Sequence, residues 1–350
     1  MKRASLISVV AIAGVSAIAL AGCASGDGGG GAEATRACVI LPDSASSDRW
    51  ENLDRKYLAE GLEAAGFDAD IQNAQGDTSK YATIADQQLQ QGCGVMLLVD
   101  YNGAGVAVTE KAKAQGIPVI AYDRPIAGAD YYVSFDNFQV GALEGQMIVD
   151  GLEAAGKDPA TAVVVYMGGD PTDGNAAFFH DGAVSVMEAA GITPAAEPPG
   201  IWDGPTSATN FEQALATLGG VVDAVWVAND TNAAGVITIL DKNGLVVPVS
   251  GQDANTAGLQ NVLLGKQYAT VYKPVKLEAD AAVELAIALL QGETPSADAE
   301  LEDGTPYIQV TPVVVGPEEV QQVIDAGDAD PAEICQGDVA PKCDEYGIDY

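Results

Sequence analysis

Six short apolar runs in this chain each end in a residue that can hold a hydroxyl group. Val39-Ile40-Leu41-Pro42 ends in Asp43, Met96–Val99 in Asp100, and Val119–Tyr122 in Asp123-Arg124. Val163–Met167 runs through Gly168-Gly169 to Asp170, Val225–Ala228 ends in Asn229-Asp230, and Val247–Gly251 ends in Gln252-Asp253. A carboxylate accepts the proton of a hydroxyl, and an amide or guanidinium returns a bond to its oxygen. Arg does this with a planar fork that reaches two vicinal oxygens. Trp50 and Trp202 stand in loop-like contexts and could pack on the apolar C–H faces of such a ligand, whereas Trp226 lies within a strand. Asp and Asn after a strand also serve as N-caps of the next helix. Capping accounts poorly for Asp123-Arg124 and Gln252-Asp253, and for Asp43, where several residues precede Trp50. Asp43, Asp100 and Asp123 could alternatively supply the paired carboxylates of a glycoside-cleaving enzyme.

Such residues need elements that bring them to one edge. After residue 36 apolar runs alternate with amphipathic stretches: a helix over 49–65 stopped by Gly66, a strand over 68–72, a helix over 78–91 and a strand over 95–99. A helix over 103–115 and the run Pro118–Ala121 continue the pattern. The second half repeats it, with strands over 162–166, 221–227 and 246–249 and helices over 176–190, 233–242 and 277–290. Continuous apolar strands joined by helices predict parallel sheets covered on both faces, an α/β fold of two Rossmann-like lobes. In such sheets a ligand binds outside the carboxyl ends of the strands.

The chain has 350 residues, 50 Asp plus Glu against 16 Lys plus Arg, and a formal charge of −34. That balance excludes a nucleic-acid partner and charge-driven docking on anionic lipid. With His180 as the lone histidine, metal sites and His-dependent nucleophiles have little material, and neither a metal nor a cofactor is expected. Cations are scarce, so Arg49, Arg124 and Lys273 near the expected cleft stand out.

Residues 1–22 read as an export signal, with Lys2 and Arg3 before the apolar stretch Leu6–Ala21. Leu20-Ala21-Gly22-Cys23 resembles a bacterial lipoprotein signal, which implies a lipid on Cys23 and an anchor at the outer face of the cell membrane. Residues 23–36 contain ASGDGGGGA, a flexible tether. Export leaves Cys38, Cys93, Cys335 and Cys343 in an oxidising compartment. Cys38 precedes the first strand and Cys93 the third, which are neighbours in a 2-1-3 strand order. That predicts Cys38–Cys93 and leaves Cys335–Cys343 to pin the tail.

Ser47-Asp48-Arg49-Trp50, Ala121-Tyr122-Asp123-Arg124, Ser134-Phe135-Asp136-Asn137, Asn229-Asp230, Ser250-Gly251-Gln252-Asp253 and Thr270-Val271-Tyr272-Lys273-Pro274 occur in this order. Together they resemble the periplasmic sugar-binding proteins of ABC importers, in the xylose-binding and multi-sugar-binding group. The resemblance spans about Val39–Val315 and implies a type I periplasmic binding protein fold with three crossings between lobes. It implies that Arg49, Asp123, Arg124, Asp136, Asn137, Asn175, Asp230, Asp253 and Lys273 bind hydroxyls while Trp50 and Trp202 sandwich the ring. The first lobe is expected over 37–134 and 253–291, the second over 135–252 and 292–350. Crossings would lie near Ser134–Asn137, at Gln252–Asp253 and after Leu290, with only bonds bridged by ligand favouring the closed state. The implied function is a monomeric, non-enzymatic lipoprotein that captures a xylose- or glucose-like aldose and delivers it to the membrane permease of an ABC importer. A sensor that presents its sugar to a membrane signalling receptor is the alternative.

Overall fold

A computed structural model describes residues 36–350; the expected signal, Cys23 and nearly all of the tether lie outside the described residues. Arg36, expected in the tether, is instead the first residue of a strand and pairs with Asp68.

The first sheet and its helices begin with β1 (Arg36–Leu41), α1 (Arg55–Ala64), β2 (Asp68–Asn73), α2 (Thr78–Gln90), β3 (Val95–Leu98), α3 (Ala104–Lys113), β4 (Val119–Tyr122) and β5 (Tyr131–Phe135). The chain continues through α4 (Asn137–Ala154), β6 (Val164–Met167), α5 (Gly174–Ala189), β7 (Pro194–Ala196), α6 (Gly204–Thr217), β8 (Ala224–Val227), α7 (Asp230–Lys242), α8 (Thr256–Leu263) and β9 (Thr270–Tyr272). It ends with α9 (Val275–Leu290), β10 (Ala299–Glu300), β11 (Pro306–Val310), β12 (Val313–Val315), α10 (Val320–Asp325), α11 (Pro331–Ile334) and α12 (Ala340–Tyr346).

The strands of the first sheet lie in the order β10-β11-β5-β4-β3-β1-β2, all parallel except β10. Side chains alternate across it as strand geometry requires. Val39 and Leu97 face one core with Leu58, Leu62, Ala282 and Val283 of α1 and α9. Ile40 and Met96 face the other with Tyr81, Ile84 and Val108 of α2 and α3. The second sheet is parallel, ordered β7-β6-β8. Bridges Val225↔Val249 and Gln252↔Val271 carry it on to β9, against which β12 runs antiparallel. Tyr166 and Trp226 pack under α4 and α5, and Val165 and Val225 under α6 and α7.

The lobe boundaries differ from the expectation. Gln252 bridges Val271, the amide of Asp253 donates to the Val271 carbonyl, and α8 packs on the tail, so the chain stays in the second lobe up to Lys273. It crosses at Lys273–Pro274, not at Gln252–Asp253. Residues 292–310, expected in the second lobe, instead supply β10 and β11 to the first sheet, where Val310 pairs with Phe135. The crossings therefore lie after Phe135, after Lys273 and between Val310 and Val313.

α4 and α5 pack closely enough to need glycine. A Cβ on Gly141 would stand 1.9 Å from the Phe179 carbonyl oxygen, and one on Gly182 would stand 2.1 Å from that of Phe138. This seam fixes the N-terminal end of α5, which carries Asn175. Cys38 pairs with Cys93 across the neighbouring β1 and β3, and Cys335 pairs with Cys343 in the tail. The tail packs Val320, Val323, Ile334 and Val339 on Leu259, Leu263 and Val315.

Candidate functional site

All the parallel strands of both sheets end towards one cleft. Its floor and walls are formed by Ser46, Ser47, Arg49, Trp50, Asp123 and Arg124 from the first lobe, and by Asp173, Asn175, Phe179, Trp202, Asn229, Gln252, Asp253 and Lys273 from the second.

Arg49 is buried at the start of a π-helical turn, Trp50–Asp54, where it meets three carboxylates. Its Nε and Nη2 donate to Asp54 at 2.9 and 2.7 Å, Nη2 to Glu278 at 2.5 Å, and Nη1 to Asp123 at 3.0 Å. Of its five N–H groups, one on Nη1 remains for a ligand. Burial alone would lower the Arg49 pKa, but Asp54, Glu278 and Asp123 hold it well above the ordinary value. Burial raises Asp54, and it raises Glu278 well above the carboxylate range, although Arg49 opposes both. Both carboxyls therefore give up their protons less readily than free ones do.

Trp50 lies within reach of two cations, with the Arg49 and Arg124 guanidinium carbons 4.7 and 5.5 Å from its ring. Its indole N–H donates to Ser46 Oγ at 3.0 Å. Arg124 donates to the Asp100 carbonyl at 3.0 Å and to Ser46 Oγ at 3.1 Å, and pairs with Asp173 of the second lobe at 3.0 Å. One N–H on each terminal nitrogen of Arg124 is left.

Asp123 has φ of +60° and Asp253 of +97°, in the left-handed region that favours glycine. Strain of this kind persists where the surroundings enforce it, and it gathers at ligand clamps. At Asp123 the enforcement is visible: its carbonyl accepts from Tyr132 Oη, Ser134 Oγ and Asn175 Nδ2 at 2.7–2.8 Å. Asp253 pairs with Lys273 at 2.8 Å, and the Lys273 ammonium lies 5.7 and 5.8 Å from the rings of Phe135 and Phe179. Burial would lower Lys273, but Asp253 and Asp123 raise it, so it stays charged.

Several expected site residues fall elsewhere. Asp136 caps α4 by accepting from the Gln139 amide and does not line the cleft. Asn137 lies behind the cleft wall, donating to Tyr132, Ser134 and Asn175. Asp230 is fully buried beneath the cleft and accepts from Gln267, Thr270 and the Asn255 amide. Burial, with Asp253 nearby, pushes its carboxyl up to about 8 despite those bonds. Asp43, which is not expected to be a cap, caps its own loop by accepting from the Ala45 and Ser46 amides. Asp100 likewise accepts from the Gly103 and Gly105 amides.

The ligand set implied by the resemblance omits Ser46, Ser47, Asp173, Phe179, Asn229 and Gln252, although Asn229 and Gln252 are among the strand-end residues that could hold a hydroxyl. At Asn229-Asp230 only the earlier residue lines the cleft, whereas at Gln252-Asp253 both do. Asp173 was findable as the N-cap of α5, the residue before Gly174-Asn175. Ser46 and Phe179 gave no signal.

Direct bonds already span the lobes: Arg124–Asp173, Asn175 Nδ2 to the Asp123 carbonyl, Asn229 Nδ2 to the Ser46 carbonyl at 3.2 Å, and Thr172 Oγ1 to Asn102 at 2.8 Å. The closed arrangement is thus not held by ligand bridges alone, contrary to the expectation. No helix among the described residues is long and apolar enough to cross a membrane.

Comparison with known proteins agrees with this architecture. Residues 38–294 match the periplasmic binding protein domain. The chain is 34% identical to the D-xylose-binding periplasmic protein of Escherichia coli (strain K12), covering 81% of this chain and 87% of that one. It is 30% identical to the multiple sugar-binding periplasmic receptor ChvE of Rhizobium radiobacter, covering 83% and 89%. An ABC transporter solute binding protein from Clostridium phytofermentans, solved with bound β-D-glucose, superposes with a TM-score of 0.77 at 26% identity, covering 85% of this chain and 99% of that one. With two parallel-sheet lobes closing on a polar cleft and a family match over most of its length, the chain belongs to the periplasmic binding proteins.

Proposed function

We propose that the chain captures an aldose of the xylose or glucose type between its lobes and delivers it to the membrane permease of an ABC importer. The observation that carries this reading is the convergence of Arg49, Asp123, Arg124 and Asp253 beside Trp50 and Trp202. The first four supply hydroxyl donors and acceptors, and the indoles supply flat apolar faces. Asn175 and Lys273 complete the wall, Asn175 chiefly by holding Asp123 in place. The acidic lining is compatible with this ligand, because a neutral sugar brings no charge to repel. The names of the relatives, which bind xylose and several sugars, support the same class. Binding without chemical change fits a site whose carboxylates are largely committed to Arg49, Arg124 and Lys273. The proposal extends to a lipid on Cys23, which would hold a monomer at the outer face of the cell membrane.

A thermal-shift panel of pentoses, hexoses and polyols tests the reading, because a bound ligand stabilises by mass action. A rise in Tm with xylose or glucose, and none with ribitol, is expected. A panel with no response from any aldose would overturn it.

A further inference from the structure

Asp253 lines the cleft from a strained turn. It and Ala254 are consecutive non-glycine residues with positive φ, +97° and +51°. Such a turn persists only where its surroundings enforce it. Three successive amides carry the enforcement. That of Asp253 donates to the Val271 carbonyl at 2.9 Å, that of Ala254 to Thr270 Oγ1 at 3.3 Å, and that of Asn255 to Asp230 Oδ2 at 3.1 Å. Thr270 Oγ1 in turn donates to the Asp230 carboxyl at 2.9 Å. Two of the three amides are therefore held by one fully buried pair, Asp230 and Thr270. We propose that Asp230 is a positioning residue for the sugar site: through Thr270 and the Asn255 amide it fixes the 253–255 turn, and with it the direction in which Asp253 meets a hydroxyl. The inference rests on the proposed sugar-binding function and adds to it a residue that does not line the cleft.

Three observations carry it. The first is that the surroundings are shaped around this carboxyl. A Cβ on Gly258 would stand 2.1 Å from Asp230 Oδ2, and one on Gly251 would stand 2.3 Å from Oδ1. Gly251 precedes the turn and Gly258 follows it, and neither has a positive φ, so the space taken by Asp230 accounts for both. The second is the connection to the cleft. Asp230 directly follows Asn229, and its amide donates to the Gln252 carbonyl at 2.9 Å. It is thus joined to two lining residues and, through the turn, to a third, Asp253. The third is what Asp253 has left to offer. Its carboxylate pairs with Lys273 at 2.8 Å and accepts from Ser47 Oγ at 3.4 Å, so only part of its acceptor capacity remains for a ligand. A hydrogen bond weakens steeply with misalignment, so a small rotation of the turn would lose it.

Calorimetric titration of the full chain and its variants with D-xylose, D-glucose and the monodeoxy analogues of the preferred sugar tests the inference, at a temperature where circular dichroism shows each variant folded. Thr270→Val keeps the shape and removes the hydroxyl that joins Asp230 to the Ala254 amide. It should weaken the preferred sugar about tenfold, whereas Thr270→Ser, which keeps the hydroxyl, should stay within about twofold of the parent. Asp230→Asn replaces one acceptor oxygen by a donor and should behave like Thr270→Val; either variant decides alone where the other does not fold. The loss should be confined to one hydroxyl. The deoxy analogue that Asp253→Asn does not weaken should bind the parent and Thr270→Val alike, which a merely structural role of Asp230 would not produce. Parental affinity in the folded variants, or an equal loss for the sugar and every deoxy analogue, overturns the positioning role and leaves the aldose reading standing. No binding of any of these sugars by the parent overturns both.

Discussion

The Nε of Arg124 lies 3.0 Å from the Asp173 carboxylate, and this single ion pair joins the end of β4 in one lobe to the N-cap of α5 in the other. Both side chains are buried. Asp173 also accepts from the Trp202 indole at 3.0 Å and from the Asn175 amide at 2.9 Å, so one carboxylate sets three cleft residues. Asp173→Asn removes the charge and leaves Arg124 buried without its partner. The expected outcome is a loss of about 1–3 kcal/mol in sugar binding, or roughly ten- to a hundredfold in affinity. The unliganded protein should also have a larger radius of gyration in small-angle scattering. Parental values of both would show that the pair does not govern closure.

Arg49 depends on two carboxylates that never face the cleft. Asp54→Ala removes its bidentate partner and leaves the buried cation with Asp123 and Glu278 alone, at a cost of about 3–5 kcal/mol. Glu278→Gln keeps the shape and, because burial favours the uncharged form of Glu278, should cost less than about 1 kcal/mol. Urea unfolding of the two variants measures the contrast. Equal losses would mean that Glu278 carries its charge in the folded protein.

Stability should fall as pH rises. The Asp230 carboxyl is pushed up to about 8 from an ordinary 3.8, so between these values the folded chain keeps a proton that the unfolded chain has lost. Unfolding then releases that proton, and stability declines from about pH 4 to pH 8 before levelling off. Burial moves Glu144, whose partner is the Trp226 indole, in the same direction. The Tm should therefore drop between pH 5 and pH 8.5, and Asp230→Asn or Glu144→Gln should flatten the decline. A Tm that rises across this range, or variants with the parental slope, would contradict the assignment.

The two disulfides should differ in weight. Cys38–Cys93 closes a separation of 55 residues and Cys335–Cys343 one of 8. Chain-entropy arguments give about 4 kcal/mol for the long loop and about 2.5 kcal/mol for the short one. Paired Cys→Ser variants compared by urea denaturation measure both. A larger loss on removing the tail bridge would place the main constraint in the tail instead.

How much was legible follows from what each residue answers to. Val39-Ile40-Leu41 and Val95–Val99 are apolar at every position because both sheet faces are covered, and such runs read as parallel strands without further help. The pairing of Cys38 with Cys93 follows from strand order, which local pattern also conveys. α4 was not legible: Gly141, Gly145 and Gly151 interrupt its helical signal, and the reason for them is the close approach of other segments, including α5 and Pro248. The crossings were misplaced because Gln252-Asp253 looks like the end of a lobe, whereas its bridge to Val271 is a long-range contact that no local pattern carries. Within the site, Asp123, Arg124 and Asp253 were legible because charged residues at strand ends need a reason to be there, and Arg49 and Trp50 through the motif Ser47-Asp48-Arg49-Trp50. Asp230 and Asn137 share that sequence context, yet they turn inward to hold β9 and α5, a difference of side-chain direction alone.

The measurement that bears most directly on the central claim is calorimetric titration of the protein and its Arg124→Ala variant with D-xylose and D-glucose. Arg124 contacts Ser46, the Asp100 carbonyl and Asp173, and retains free N–H groups at the cleft. If a sugar is held there, the parent binds at least one of the two, and the variant binds it about ten- to a hundredfold more weakly, or about 1–3 kcal/mol. Equal affinity of the two proteins for the preferred sugar would place the ligand elsewhere in the molecule.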